Sequence, residues 1–287
     1  MMINNIRIFT SIRSLLNALF IMTTIVAQIN LHHCQKSVID FHEYARSTIE
    51  KHGNLIAAIQ EPWVPPVNKG MIAILPDRNM LYKRLPPDQP VVRAAIFGSP
   101  GVRLQPCEQF MSRDCAAAMW STGDARAPKI LVVSMYMDKN LPFPDELEKV
   151  INWCARKNVP LMLMMDSNSH SVIYGEYKTD DRGHKLEAIV FQRNLHIVNE
   201  GSRPDVATYR KGDTTDESII DLTMCTGGIE QYITDWKIDM EREKVHSDHF
   251  LIDMKFNVDN TKSIGCHVKP IDDHILFFLA PVIPEGF

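Results

Sequence analysis

The chain has 287 residues, of which 45% are hydrophobic and 23% charged, and its formal net charge is −4. That length holds one large α/β domain or two small ones with a sizeable core, and that composition excludes a low-complexity chain. With no global surplus of basic residues, a nucleic-acid face has to be a local patch rather than the whole surface.

The first residues combine Arg7 and Arg13 with an apolar stretch, Leu15 to Met22, whose apolar character continues to Ala27. This has the look of a secretory signal, but it is too short and too interrupted by Asn17, Thr23 and Thr24 for a membrane span. The favoured reading is an extension over 1–24, of uncertain status, followed by a first core strand over Thr24 to Asn30. Ser37 to His52 then presents Val38, Phe41, Tyr44, Ala45, Thr48 and Ile49 on one helical face, with Ser37 as its cap. Short apolar runs predict strands over Leu55 to Ile59, Gly70 to Leu75 and Val91 to Phe97, the last two separated by a turn region at Pro86, Pro87 and Pro90. Another strand is expected over Lys129 to Met137. A helix over Pro144 to Lys157 follows, acidic in its first turn and basic in its last.

Next comes Val159 to His170, in which the apolar run Leu161 to Met165 stops at Asp166, with Asn168 two positions on. Such a run reads as a strand buried on both faces. A carboxylate at its end needs a strong partner: a capped loop or helix N-terminus, a metal, or a proton-sharing site, and this stretch alone leaves the three open. A helix from about Arg182 to Asn194 and strands over Leu195 to Val198, Ser218 to Met224, Thr234 to Met240 and Phe250 to Phe256 complete the set. Strands outnumber helices and do not alternate strictly with them, so two mixed sheets with helices outside are expected. Residues 259–287 read as an irregular tail whose one feature is the apolar run Ile275 to Ala280. The six cysteines are irregularly spaced with no CxxC pair, which argues for reduced, mostly buried thiols in an intracellular setting and against zinc or a disulfide framework.

Polar groups gather where strands end: Asn30, Glu61, Asp166 with Asn168, and His246-Ser247-Asp248-His249 ahead of the last strand, with Asp221 inside an apolar run. Each alone has an ordinary explanation, such as Asp221 pairing with a core Arg or Ser247-Asp248 capping a turn. Together they mark a site, because strand ends are where α/β folds gather theirs. Oxygen ligands without cysteine suit a hard cation, Mg²⁺ or Mn²⁺, and an Asp–His pair supplies an oriented imidazole. That combination suits phosphoryl transfer, with water attacking phosphorus in line.

Four segments, Gln60-Glu61-Pro62, Asp166-Ser167-Asn168, Ser218 to Thr223 and Ser247-Asp248-His249, resemble in order the motifs of the endonuclease/exonuclease/phosphatase superfamily. More narrowly, with Gln28 to Leu31, Ser134 to Asp138, Arg182-Gly183 and Asn199-Glu200-Gly201, they are similar to the apurinic-like endonuclease domain of non-LTR retrotransposons. The resemblance covers about residues 25–256, within a domain drawn over 25–258. It implies an α/β (α+β) fold, a four-layered sandwich of two packed mixed β-sheets flanked by helices (DNase I-like). It implies Glu61 as the principal metal ligand, assisted by Asn30, with Asp248 near the metal. Asp166 would orient or deprotonate water, Asn168 would hold the scissile phosphate, Tyr136 would lie against it, and His249, held by Asp221, would stabilise developing charge. Two departures touch DNA-facing loops: Tyr174 stands where Trp is common before Gly175, and Pro204 to Tyr209 is longer than the usual segment bearing a Thr-Phe pair.

The resulting expectation is a Mg²⁺- or Mn²⁺-dependent endonuclease that nicks double-stranded DNA and leaves a 3′ hydroxyl for retrotransposition. Arg182, Arg210 and Lys211 are candidate backbone contacts, the location is intracellular and nuclear, and no stable membrane partner is expected. No reverse transcriptase follows, which reads as a truncated element or a free-standing gene derived from one. The alternatives are a phosphomonoesterase of the same superfamily, or a degenerate, inactive copy acting at most as a binding protein.

Overall fold

The computed structural model describes residues 23–63, 80–83, 85, 91–123, 127–199, 207–212, 214–226, 228–240 and 243–258. The segment 1–22, the expected strand Gly70 to Leu75, the turn prolines 86, 87 and 90, and the run Ile275 to Ala280 lie outside the described residues.

Two six-stranded sheets pack face to face. The first contains β1 (Thr24–Asn30), β2 (Asn54–Gln60), β3 (Met80–Leu81), β4 (Ala94–Gly98), β13 (Ile233–Asp239) and β14 (Leu251–Phe256), in the order β13-β14-β1-β2-β4-β3. The second contains β5 (Arg103–Pro106), β6 (Cys115–Ser121), β7 (Ile130–Tyr136), β8 (Leu161–Asp166), β9 (Leu195–Ile197) and β12 (Asp221–Thr226), in the order β5-β6-β7-β8-β12-β9. Each sheet is mixed: β1 and β2 run parallel, as do β7 and β8, and their other neighbours run antiparallel. A two-stranded ribbon of β10 (Tyr209–Arg210) and β11 (Glu217–Ser218) stands apart.

Strand periodicity builds the layers. On β2, Ile56 and Ala58 face β6, β7 and β8 through Ala116, Ala118, Val132, Met162 and Met164, forming the inter-sheet core. The alternate residues Leu55, Ala57 and Ile59 pack on Val38, Phe41 and Ala45 of α1 (Gln35–His52). The outer face of the second sheet is covered by α2 (Asp145–Lys157) and α3 (Asp181–Arg193), through Leu147, Val150 and Ile151 and through Leu186, Ile189 and Val190. The result is the expected helix–sheet–sheet–helix sandwich. Among the described residues no helix is long and apolar enough to cross a membrane, and Cys34, Cys107, Cys115, Cys154 and Cys225 are free thiols.

Three local expectations change. Ser37 does not cap α1: the N-cap is Cys34, and Ser37 is buried, its hydroxyl donating to His246 O. Ser218 to Met224 is not one strand, because Ser218 ends the ribbon strand β11 and Asp221 opens β12. Strands β5 and β6 were not foreseen, since Cys-Ala-Ala-Ala-Met-Trp-Ser lacks both alternation and β-branched residues.

Candidate active site

The inner face of the sandwich is apolar through its middle and turns polar at one end. Following alternate residues along each strand, Val26 leads to Gln28 and Asn30, and Ile56 and Ala58 lead to Gln60. In the facing sheet Val132 leads to Ser134 and Tyr136, and Met164 leads to Asp166. β12 approaches the same end with Thr223 and Asp221. Register fixes who meets whom: Asp166 lies between Tyr136 on β7 and Asp221 on β12. The seam is bridged across the sheets, with Gln28 Nε2 donating to Met165 O (3.0 Å) and Thr223 Oγ1 to Gln28 Oε1 (3.1 Å). Gln60 Nε2 donates to Ser134 Oγ (3.0 Å), and Ser134 Oγ to Ile59 O (3.0 Å).

At the open end these groups form one connected line. His249 Nδ1 lies 2.7 Å from Asp221 Oδ2, and His249 Nε2 lies 3.9 Å from Asp166 Oδ2. Asn30 Nδ2 donates to Asp166 Oδ2 (2.9 Å) and to Glu61 Oε2 (3.3 Å), while Asn30 Oδ1 accepts from the backbone N–H of His32 (2.8 Å). Asn168 donates its backbone N–H to Asp166 Oδ1 (3.1 Å). Ser247 ties the Ser247–His249 turn down, donating to Asn30 O at 2.8 Å. Asn30, Asp166, Asp221 and His249 are buried; Glu61 and Asn168 are partly open. Asp166 is thus partnered by Asn30 and the Asn168 N–H with the His249 imidazole 3.9 Å away, and Asp221 pairs with His249 rather than with a core Arg.

Charge follows from this crowding. Burial raises the Asp166 carboxyl above its ordinary value; the charge of Asp221 adds to this, and His249 and Asn30 oppose it. Burial alone would lower the His249 imidazole, but the charge and hydrogen bond of Asp221, with Asp166 and Asp248 behind, outweigh it and push it up to about 9. For Glu61, burial works against ionisation, yet the hydrogen bond and charge of His33 and the bond from Asn30 hold it below the usual carboxylate range.

The backbone is strained at the same place. Glu61 and Asn168 adopt φ of +44° and +42°, and His32 and His33 follow β1 at +49° and +48°. Left-handed conformations in non-glycine residues are uncommon and gather at functional sites. Asn158 and Asn194, by contrast, simply end α2 and α3.

A cleft of about 520 Å³ opens over this end, lined by Glu61, Tyr136, Asp166, Asn168, Arg182, Asp248 and His249 among others. Those seven expected site residues therefore meet, with Asn30 and Asp221 supporting from beneath. Arg182 reaches back to Leu141 O (3.0 Å) and Met137 O (3.4 Å), and so braces one wall. Arg210 and Lys211 are not among the lining residues: Arg210 is paired with Glu217 at 2.6 Å and Lys211 is exposed on the ribbon.

Sequence reasoning missed several neighbours. Buried Arg93 forks onto Asp114 (2.6 and 2.7 Å) and Asp138 (2.5 Å), with its guanidinium 4.5 Å from the Tyr136 ring centre. The Tyr209 ring lies 4.8 Å from the His249 ring, and Thr208 Oγ1 accepts from the backbone N–H of Asp221 at 2.9 Å. The Thr208-Tyr209 pair in the lengthened segment thus sits where Asp221 and His249 are held. His32, Lys139 and His170 also line the cleft. The two successive histidines that follow the strand-end Asn30 and Leu31 were the signal available for His32 and His33.

Asp166, Asp221 and His249 offer ligand atoms within 4.8 Å of one another, close enough to hold a metal. The 2.7 Å contact between His249 Nδ1 and Asp221, however, already occupies one of those atoms with a hydrogen bond. Glu61 and Asp248, facing the cleft, are oxygen donors that fit a hard divalent cation.

The sequence over residues 130–253 matches the family described as Endonuclease-reverse transcriptase. No curated protein matches the chain in sequence. In structure it is similar to the endonuclease domain of TRAS1, a telomere-specific non-LTR retrotransposon, with TM-score 0.63 and 24% identity, covering 82% of this chain and 98% of that one. It is also similar to the AP endonuclease LMAP from Leishmania major (TM-score 0.61, 10% identity, 82% and 88% covered). The Xenopus laevis APE2 catalytic domain compares likewise (TM-score 0.61, 13% identity, 83% and 94% covered). In its matched sequence and in a fold shared over four fifths of its length, the chain resembles the endonuclease/exonuclease/phosphatase superfamily and has its nuclease-like architecture.

Proposed function

We propose that residues 25–258 form a divalent-metal-dependent endonuclease that hydrolyses a phosphodiester of double-stranded DNA, nicking one strand and leaving a 3′ hydroxyl of the kind that primes retrotransposition. The observation that carries the reading is the continuous line His249–Asp166–Asn30–Glu61, which joins a buried imidazole to an open carboxylate under one cleft.

Each residue then has a task its position allows. Asp166, poised by burial to exchange a proton, orients the attacking water and takes its proton. Asn168, beside it, holds the scissile phosphate, and Tyr136 lies against the same group from β7. Asp221 keeps the His249 ring fixed through Nδ1, so Nε2 presents its hydrogen to the charge that grows on the phosphoryl oxygens. A divalent cation, Mg²⁺ or Mn²⁺, held by Glu61 with Asp248, supplies Lewis-acid stabilisation of that charge when bound. Arg182 on the wall reaches the DNA backbone, and Arg210 and Lys211 add contacts on the ribbon beyond the cleft, which position the duplex without reading its sequence.

The test is incubation of supercoiled plasmid with the full chain and Mg²⁺ or Mn²⁺, followed by extension with a DNA polymerase. Open-circular product that the polymerase extends directly is the expected result. Extension only after phosphatase treatment would contradict the 3′ hydroxyl, and persistence of supercoiled plasmid would contradict the nuclease.

A further inference from the structure

The turn leaving β1 carries two consecutive left-handed residues, His32 and His33, that the tasks above do not use. Non-glycine residues pay about 1–2 kcal/mol each for that conformation, so the surroundings must hold it. They do: the N–H of His32 goes to Asn30 Oδ1, that of His33 to Glu61 O (2.7 Å), and that of Cys34 to Leu31 O (2.9 Å). The consequence is an imidazole against two of the cleft carboxylates, Glu61 and Asp248. His33 Nε2 stands 3.4 Å from Glu61 Oε1, and His32 Nδ1 stands 3.4 Å from Asp248 Oδ2.

His33 is the better fixed of the two. Its Nδ1 lies 3.0 Å from Pro62 O. A carbonyl oxygen only accepts, so Nδ1 carries the hydrogen and Nε2 is the nitrogen turned toward Glu61. Histidines that bind metals are oriented in this way, one N–H tied to a carbonyl or carboxylate and the other nitrogen ligating. The separation suits it too. Two donor atoms 3.4 Å apart can share one cation at ~2.1 Å from each, at a ligand–metal–ligand angle of roughly 108°.

We propose that His33 is a nitrogen ligand of the cation that Glu61 holds. Resting on the metal-dependent reading above, this gives the centre a mixed oxygen–nitrogen donor set. Imidazole adds little for Mg²⁺ and progressively more for Mn²⁺, Co²⁺ and Zn²⁺, so the site discriminates among divalent cations in that order.

The experiment is pulsed electron paramagnetic resonance on the full chain loaded with Mn²⁺, with Co²⁺ and Mg²⁺ affinities measured by calorimetry. It compares the wild type with His33→Gln and His32→Ala. Expected are a ¹⁴N coupling to bound Mn²⁺ in the wild type, kept in His32→Ala and lost in His33→Gln. Co²⁺ affinity should fall by about tenfold or more in His33→Gln, while Mg²⁺ affinity changes by less than about threefold. Bound Mn²⁺ without nitrogen coupling in the wild type, or coupling that survives His33→Gln, would overturn the role of His33 and leave the metal-dependent reading standing. A wild-type chain that binds none of the three cations would overturn both.

Discussion

Two carboxylate–imidazole pairs each put one member in the cleft wall, His249 and Glu61, and they differ in depth and in length. Asp221 and His249 are both buried and meet at 2.7 Å; Glu61 and His33 are partly open and stand 3.4 Å apart. In the first pair low local dielectric strengthens the attraction, and the imidazole is pushed up to about 9 and stays charged at neutral pH. In the second, water competes and the contact is longer, and against burial the hydrogen bond and charge of His33 with the bond from Asn30 keep the carboxylate ionised yet accessible. The same two kinds of group, a carboxylate and an imidazole, thus become a fixed buried pair in one place and an open, ionised carboxylate in the other. Environment sets the role, as it does wherever one site needs groups in opposite protonation states.

The largest expected effect breaks the comparison into its halves. His249→Ala should lower nicking by about 10²- to 10⁴-fold while leaving the thermal stabilisation by Mn²⁺ in place. Glu61→Gln should remove both nicking and that stabilisation. Equal loss of cation binding in the two variants, measured by melting with and without Mn²⁺, would erase the division of labour.

Next in size is the stability of the buried pair. Because His249 is raised in the folded state, its contribution is complete below the unfolded value near pH 6.5 and is lost as pH rises through about 9. Asp221→Asn should therefore cost about 3 kcal/mol near pH 6, with the gap from wild type closing toward alkaline pH. Urea unfolding across that range checks it; a gap that widens with pH would contradict the assignment.

The legibility of these features in the sequence was uneven, for physical reasons. Asp166 could be found because a carboxylate ending an apolar run is expensive without a partner, and Asn30, Glu61 and His249 stood out at other strand ends. Thr24–Asn30 was visible as a strand from its continuous apolar pattern. Strand β6 was not, because three successive alanines carry almost no strand preference and its place is set by pairing with β7. His33 looked like any turn histidine, since its contact with Glu61 depends on two left-handed residues that local sequence does not announce. Arg93 was hidden for another reason: both of its carboxylates are distant in sequence, 21 and 45 residues away.

Arg93 offers a smaller effect that sharpens the comparison. Its guanidinium supports the Tyr136 ring without touching either pair. Arg93→Met takes the shared guanidinium from Asp114 and Asp138, leaving Arg113 at 3.9 Å from Asp114, and should cost about 2–3 kcal/mol, below the fully buried case because both carboxylates keep some solvent. Nicking should fall with Mn²⁺ binding intact, read by calorimetry beside the plasmid assay.

The smallest effect concerns a further acid–imidazole pair, His170 and Glu176, at 3.3 Å, with His170 in the cleft wall. The hydrogen bond that His170 donates to Glu176 raises His170 against burial, and Glu176 is lowered because the bonds from His170 and the Ile219 N–H outweigh its burial. Its stabilisation is present between the two folded values, lost in acid through Glu176 and in alkali through His170. With this much exposure, His170→Gln should cost no more than about 1 kcal/mol in that window, measured as a difference in unfolding free energy from about pH 4 to pH 8.

The most direct test of the central claim is the rate of supercoiled-plasmid nicking by the wild type, Glu61→Gln and His249→Ala at equal folded concentration with Mn²⁺. The account predicts nicking by the wild type and a loss of about 10²-fold or more in each variant. Wild-type rates in both variants would mean that the line joining the two sheets is not where the phosphodiester is cut.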